Sequence, residues 1–184
     1  MACRGRRALK VGTSVRVTLA VFLGMLTTSC GQPFWHPRPA EPEPPFPEPA
    51  TPAAIQELSL ERGPCMDTSC PAYRYTFRRD GRATYDSLSS VTARLVRRST
   101  ATLDSVTFAA LAVAVLERGF FGLQPRYSTG GTDAREVTVR ALVLDTAKTV
   151  VEEEATGPPA LHVLQLLLDS AGTRLSWRVA PPSK

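Results

Sequence analysis

Between Gly31 and Ala54 nine of 24 residues are proline: Pro33, Pro37, Pro39, Pro42, Pro44, Pro45, Pro47, Pro49 and Pro52. Proline fixes φ and carries no N–H, so such a run can neither propagate a helix nor donate into a sheet ladder. The stretch reads as extended, polyproline-like chain, kept solvated by Glu41, Glu43 and Glu48. At about 3.1 Å per residue it spans roughly 70 Å. This run confines any hydrophobic core to the residues after it, from Ile55 onward, a length sufficient for one modest domain. The chain therefore divides into residues 1–29, a tether over 30–54 and a single domain over 55–184. A spacer is the plain reading of the tether, and a ligand for a proline-binding or cell-wall partner is the sharper one. His36 belongs to it and is a poor catalytic candidate.

Residues 1–29 have the three parts of an export signal. Arg4, Arg6, Arg7, Lys10 and Arg16 form a basic start, Val17 to Leu26 is apolar, and Thr27, Thr28 and Ser29 are small. A spanning helix needs roughly 20 apolar residues, and this run is too short. The segment ending in Ser29-Cys30-Gly31 resembles a bacterial lipoprotein signal, with Thr27 where that pattern usually carries leucine. The resemblance implies that Cys30 becomes an acylated N-terminus that anchors the mature chain in a membrane. Gly31 in place of aspartate points to the outer membrane, facing the periplasm or the cell surface. Phe34 and Trp35 would then rest at headgroup level. Complete secretion is the plain alternative. Arg6-Arg7 resembles a twin-arginine signal only faintly, because the spacing is off.

The formal charge of +5 belongs to the same segment. Removing its five basic residues leaves 17 basic against 17 acidic, a mature chain of zero net charge. Nucleic acid is therefore not an expected partner.

Within 55–184, Ile55, Leu58 and Leu60 open a strand that ends at Gly63-Pro64. Tyr73, Tyr75 and Phe77 alternate with Arg74, Thr76 and Arg78, the period of a half-buried strand. Asp80-Gly81 marks a hairpin. A three-residue loop, Arg79-Asp80-Gly81, pairs Phe77 with Ala83 and Tyr75 with Tyr85 and keeps one face apolar. A two-residue turn would set Tyr75 against Asp86. Val91, Ala93 and Leu95 suggest a further strand. Phe108, Leu111, Ala112 and Val115 follow helical spacing, with a stop at Gly119. Phe120, Phe121 and Leu123 fold back as core anchors.

A Gly-rich loop from Tyr127 to Asp133 precedes a strand from Val137 to Leu144, and Asp145 to Lys148 turn the chain into Thr149 to Glu154. Gly157-Pro158-Pro159 starts a second helix whose apolar face is Leu161, Leu164 and Leu168, and Leu175 and Trp177 close the domain. The expected fold is α+β: a mainly antiparallel sheet of about six strands with two helices packed on one face, in the order β-β-β-β-α-β-β-α, with room for a last short strand.

Gly63-Pro64-Cys65, Cys70-Pro71-Ala72-Tyr73, Asp80-Gly81, Phe120 to Leu123, Tyr127 and Asp133 together resemble an exported bacterial family known only as a domain of unknown function. Its members open on G-P-C-x(3,4)-C-P-x-Y. The resemblance implies an envelope location and a similar fold, and it brings no catalytic residues.

Cys65 and Cys70 are expected to form a structural disulfide, since exported cysteines meet an oxidising compartment. Thiol redox chemistry would favour a two-residue spacing at a helix N-terminus, and two thiols with no nearby histidine make only half a zinc site. His162, the domain's only histidine, is expected at the edge of the second helix's apolar face. Glu152 and Glu154 share one strand face and Glu153 the other, which suits a solvated or edge strand. Asp80 and Asp145 fit turn chemistry. Asp133, beside Tyr127, is the least explained acidic residue and the candidate functional loop. No metal site, cofactor or nucleotide motif is expected. Two hypotheses follow: a non-enzymatic envelope module with a protein or cell-wall partner, or a carboxylate- or metal-dependent envelope enzyme built around Asp133. A thiol oxidoreductase is the third.

Overall fold

A computed structural model of the chain describes Phe46 and residues 51–65, 69–130, 134–153 and 155–180. Cys30 and Asp133 both lie outside the described residues. Eight strands and two α-helices run in order: β1 (Ile55–Arg62), β2 (Ala72–Arg78), β3 (Arg82–Leu88), β4 (Leu95–Thr102), α1 (Ser105–Glu117), β5 (Arg126–Tyr127), β6 (Glu136–Val143), β7 (Thr146–Glu153), α2 (Pro159–Thr173) and β8 (Arg178–Val179). The strands form one sheet in the order β5-β7-β6-β1-β2-β3-β4-β8. The fold is α+β, and the sheet is mixed, because β5 pairs with β7 in parallel. The expected six antiparallel strands thus become eight. Of the two beyond six, β8 is at the place where room was left for a last short strand and β5 is an addition; each is two residues long and carries no periodicity of its own.

The hairpin register follows from the apolar face. Phe77 pairs with Ala83 and Tyr75 with Tyr85, and Gly81 takes φ +85°, a conformation that costs glycine little. A bulge between Ile55 and Glu57 absorbs the odd spacing of β1 and turns Ile55 as well as Leu58 and Leu60 inward. On α1 the buried residues are Phe108, Leu111, Ala112 and Val115, and Gly119 follows at φ +63°. Leu161, Leu164 and Leu168 of α2 are buried in the same core. Burial of each leucine contributes about 1.5–3 kcal/mol relative to exposure.

Three expectations fail locally. Val91 and Ala93 belong to a turn and not to a strand, so β4 begins only at Leu95. The Ser89 hydroxyl accepts the Val91 and Thr92 N–H groups, the Ser89 N–H donates to the Arg94 carbonyl, and Ala93 takes φ +53°. The turn after β6 is two residues, Leu144-Asp145, with Thr146 to Lys148 already in β7. Leu144 sits at φ +53° as the first central residue. Glu152 and Glu153 are buried rather than solvated, because β7 lies inside the sheet between β5 and β6.

Two positions of the proline-rich stretch depart from an unpartnered spacer. The Phe46 ring stacks on Phe121 with centroids 5.3 Å apart, and Pro52–Ala54 form a 3-10 turn.

The sheet face opposite the helices is polar and cross-linked by charge. Arg98 donates to Asp86, Arg74 to Glu61, and Arg78 and Arg140 both donate to Glu57. Each pair joins neighbouring strands, which is why arginines alternate with aromatic residues along β2.

Candidate functional site

The end of the sheet where β1 leaves and β2, β4 and β6 enter gathers most of the residues singled out from sequence. Cys65 and Cys70 are bonded as a disulfide with Cα atoms 5.7 Å apart. The bond staples the connection between β1 and β2. Arg135, just before β6, donates from Nε to the Gly63 carbonyl at 2.9 Å and from Nη2 to the Pro71 carbonyl. One guanidinium thereby ties both sides of the stapled loop to the strand that follows the Asp133 loop.

Beneath α2 lies a row of side chains across four strands: Glu152 on β7, Val137 on β6, Arg62 on β1 and Tyr73 on β2. Asp169 of α2 reaches into it. Its carboxylate accepts from Arg62 Nη2 at 2.7 Å, from Arg62 Nε at 2.9 Å and from the Tyr73 hydroxyl at 2.7 Å. Burial and the Asp169 carboxylate together push the Tyr73 hydroxyl far above its ordinary range. Burial alone would lower Arg62, but the hydrogen bond and charge of Asp169 outweigh it and leave the guanidinium raised. The trio is a fixed ion pair with a phenol locked in its neutral form.

Glu152 forms the second cluster. Only 1% of its side chain is exposed, and it accepts from the Gly157 N–H at 2.8 Å and from the Gln165 amide. His162 Nε2 lies 3.2 Å from its Oε2. A carboxylate oxygen only accepts, so the ring presents its N–H there. His162 thus stands at the edge of the apolar face, as its spacing predicts, with a buried partner that the sequence did not disclose. On the opposite face Glu153 accepts from the Ser128 hydroxyl and from the Thr129 N–H and hydroxyl. The Ser128 and Thr129 donors hold its carboxyl below the usual carboxylate range.

Tyr127 is placed by β5. Its hydroxyl accepts the Gln124 N–H at 3.0 Å, its carbonyl accepts the Thr156 hydroxyl, and its ring packs against the core. This is a structural setting. Asp133 falls between the described residues 130 and 134, so its geometry relative to Tyr127 or Glu153 is not described. Among the described residues no group of three His, Cys, Asp or Glu side chains is arranged to hold a metal ion.

A model of the family described as a domain of unknown function (DUF6438) matches residues 56–172, well over half of the chain. The chain belongs to this family. The match begins at the second residue of β1 and ends within the last turn of α2, so it takes in the disulfide loop and both carboxylate clusters. No curated protein matches the chain.

Sequence reasoning missed Arg62, Gln165 and Asp169. A signal was available for two of them. His162, Gln165 and Asp169 recur at i, i+3 and i+7, a polar stripe beside the apolar one at Leu161, Leu164 and Leu168.

Proposed function

We propose that this chain is a lipid-anchored cell-envelope protein whose α+β domain is a non-enzymatic binding or structural accessory module. The anchor rests on the sequence alone, on the basic and apolar segment that ends in Ser29-Cys30-Gly31. The module reading is supported by the saturation of the carboxylates that β7 and α2 turn toward the fold. Glu152, Glu153 and Asp169 each accept three contacts from the domain itself. A carboxylate that works as a general base must turn an oxygen toward substrate, and these three are turned toward their own fold. The partner is a protein or cell-wall component of the envelope, reached on a tether of about 15 residues between Cys30 and Phe46.

Three measurements test this. Cys30→Ser should abolish acyl labelling and release the protein from sedimented membranes; unchanged membrane association overturns the anchor. Crosslinking in intact envelopes should return a discrete partner that survives Asp133→Asn. Turnover of an envelope polymer by the purified protein, lost in Asp133→Asn, would replace the module with a carboxylate-dependent enzyme.

A further inference from the structure

We propose that the outer edge formed by the start of β4 and by β8 is a membrane-contacting tip that binds the anionic headgroup surface of a phospholipid bilayer. The observation behind it is an exposed apolar group within a one-sign charge field. Val91 in the turn before β4, Leu95 and Val96 at its start, and Val179 on β8 are 78%, 53%, 69% and 65% exposed. Val179 pairs with Ser99, which places β8 alongside β4. Among the same residues stand Arg94, Arg97 and Arg178, all exposed. None of the three forms an ion pair with a described residue, whereas Arg98 beside them is neutralised by Asp86. No acidic residue occurs between Asp86 and Asp104, so no carboxylate within this segment offsets the arginines.

Arginine on an edge strand also discourages pairing with another sheet, and the bulge at Val96 does the same. That function accounts for the charge and the bulge. It does not account for four large apolar side chains left in solvent along this edge. Apolar side chains that enter the acyl boundary, with arginines at phosphate level, account for both. Anionic lipid is the complementary partner, since the tip has positive charge to place and no carboxylate for a basic one. Such a contact is strengthened further when a tether holds the domain near a bilayer, because the second contact is then intramolecular. The inference concerns the domain's own surface and holds whether or not Cys30 carries lipid.

The test reads the tip directly in the full chain. In a Cys3→Ser/Cys30→Ser background, which keeps the Cys65–Cys70 disulfide, Val96→Cys is labelled with an environment-sensitive fluorophore. Asp145→Cys, on the hairpin between β6 and β7, is the control. Vesicles of phosphatidylcholine with 30% phosphatidylglycerol should blue-shift the label at 96 and leave the one at 145 unchanged. Pure phosphatidylcholine should shift neither. An arginine near an anionic surface contributes about fivefold in partition, so Arg94→Glu/Arg97→Glu should weaken the vesicle titration by at least about 25-fold, and 1 M salt should reverse the shift. Circular dichroism verifies that the variant is folded. Absence of a shift at 96, an equal shift at 145, or equal response to neutral vesicles overturns the proposal. A folded charge-reversed variant whose titration midpoint matches that of the parent overturns it as well.

Discussion

Gly172 is buried in the last turn of α2, directly over the Tyr75 ring, and Gly172→Ala sets two effects against one another. A Cβ built there lies 2.6 Å from Cε2 and Cζ of Tyr75 and 2.7 Å from Cδ2, where non-bonded carbons prefer about 3.5–4.0 Å. The ring has nowhere to go. It stacks on Trp177 at 5.7 Å, lies 5.2 Å from Tyr85 and 5.1 Å from Tyr73, and its strand is paired on both sides, to Leu60 and Tyr85. Helix propensity favours alanine by about 1 kcal/mol, somewhat less so close to a helix end. Overpacking costs about 1–3 kcal/mol, and contact with three atoms of a confined ring puts this site at the upper end. The net expectation is a loss of about 1–2 kcal/mol, or a Tm lower by about 4–8 °C for a domain of this size. Thermal melts followed by circular dichroism measure it, with the exposed neighbour Thr173→Ala as a control for helix propensity. In a Tyr75→Leu background the alanine should cost less, since the clash is with the outer ring atoms. A raised Tm for Gly172→Ala, or the same cost in both backgrounds, would refute the idea that the Tyr75 ring sets how closely α2 seats on the sheet.

Three further outcomes are expected. Tyr73 is held neutral in the fold, so stability is fully present below about pH 10, the phenol's unfolded range, and is lost as pH rises above it. Tyr73→Phe should flatten that alkaline decline in urea titrations at stepped pH, while costing about 1.5–3 kcal/mol at neutral pH through the lost bond to Asp169. Glu153 has the opposite sign: its folded carboxyl lies below the ordinary range, so its contribution is present above about pH 4.5 and lost as pH falls. Glu153→Gln should reduce the acid-limb slope of stability against pH, and an unchanged slope would show that the Ser128 and Thr129 bonds do not matter to folding. Cys65→Ser/Cys70→Ser closes no loop and should lower stability by about 2 kcal/mol, the chain-entropy value for so short a ring; equilibrium denaturation of the two forms measures it.

What the sequence disclosed was local. Register across Asp80-Gly81 is set by which face of β2 is apolar, and both helices follow from spacing and from glycine and proline at their ends. Misplaced parts depend on a side chain closing its own turn or on chain elsewhere. Ser89 closes a turn with its own hydroxyl and so delays β4 past Val91 and Ala93, although those residues alternate as a strand would. The strands β5 and β8, each two residues, exist only because β7 and β4 offer an edge. Glu152 and Glu153 look solvated because two adjacent acids are costly to bury without partners. Their partners lie at 128–129 and at 157, 162 and 165, separations that no periodicity in β7 encodes. Of the candidate site, the cysteine pair and the edge position of His162 were legible, and the Arg62–Asp169–Tyr73 trio was not.

The two glutamates explain how one end of this sheet is held. Successive side chains on a strand point to opposite faces, so Glu152 and Glu153 grip different segments. Glu152 fixes the entry and inner side of α2 through Gly157, His162 and Gln165, while Glu153 fixes the chain leaving β5 through Ser128 and Thr129. Asp169 binds the same helix to β1 and β2, Arg135 binds β6 to the stapled loop, and the disulfide closes that loop. Among the described residues, α2, β1, β2, β6 and the chain after β5 are therefore tied at this end by a charged group or a covalent bond, where leucine would have sufficed for burial alone, while the turn into β4 is closed by the Ser89 hydroxyl. Apolar contacts tolerate sliding, but a carboxylate with three donors has one low-energy arrangement, so the arrangement specifies position as well as stability. A surface fixed in this way loses little conformational freedom when a partner binds. That is the physical reason to look for recognition at the end where β1, β2, β6 and α2 are locked together.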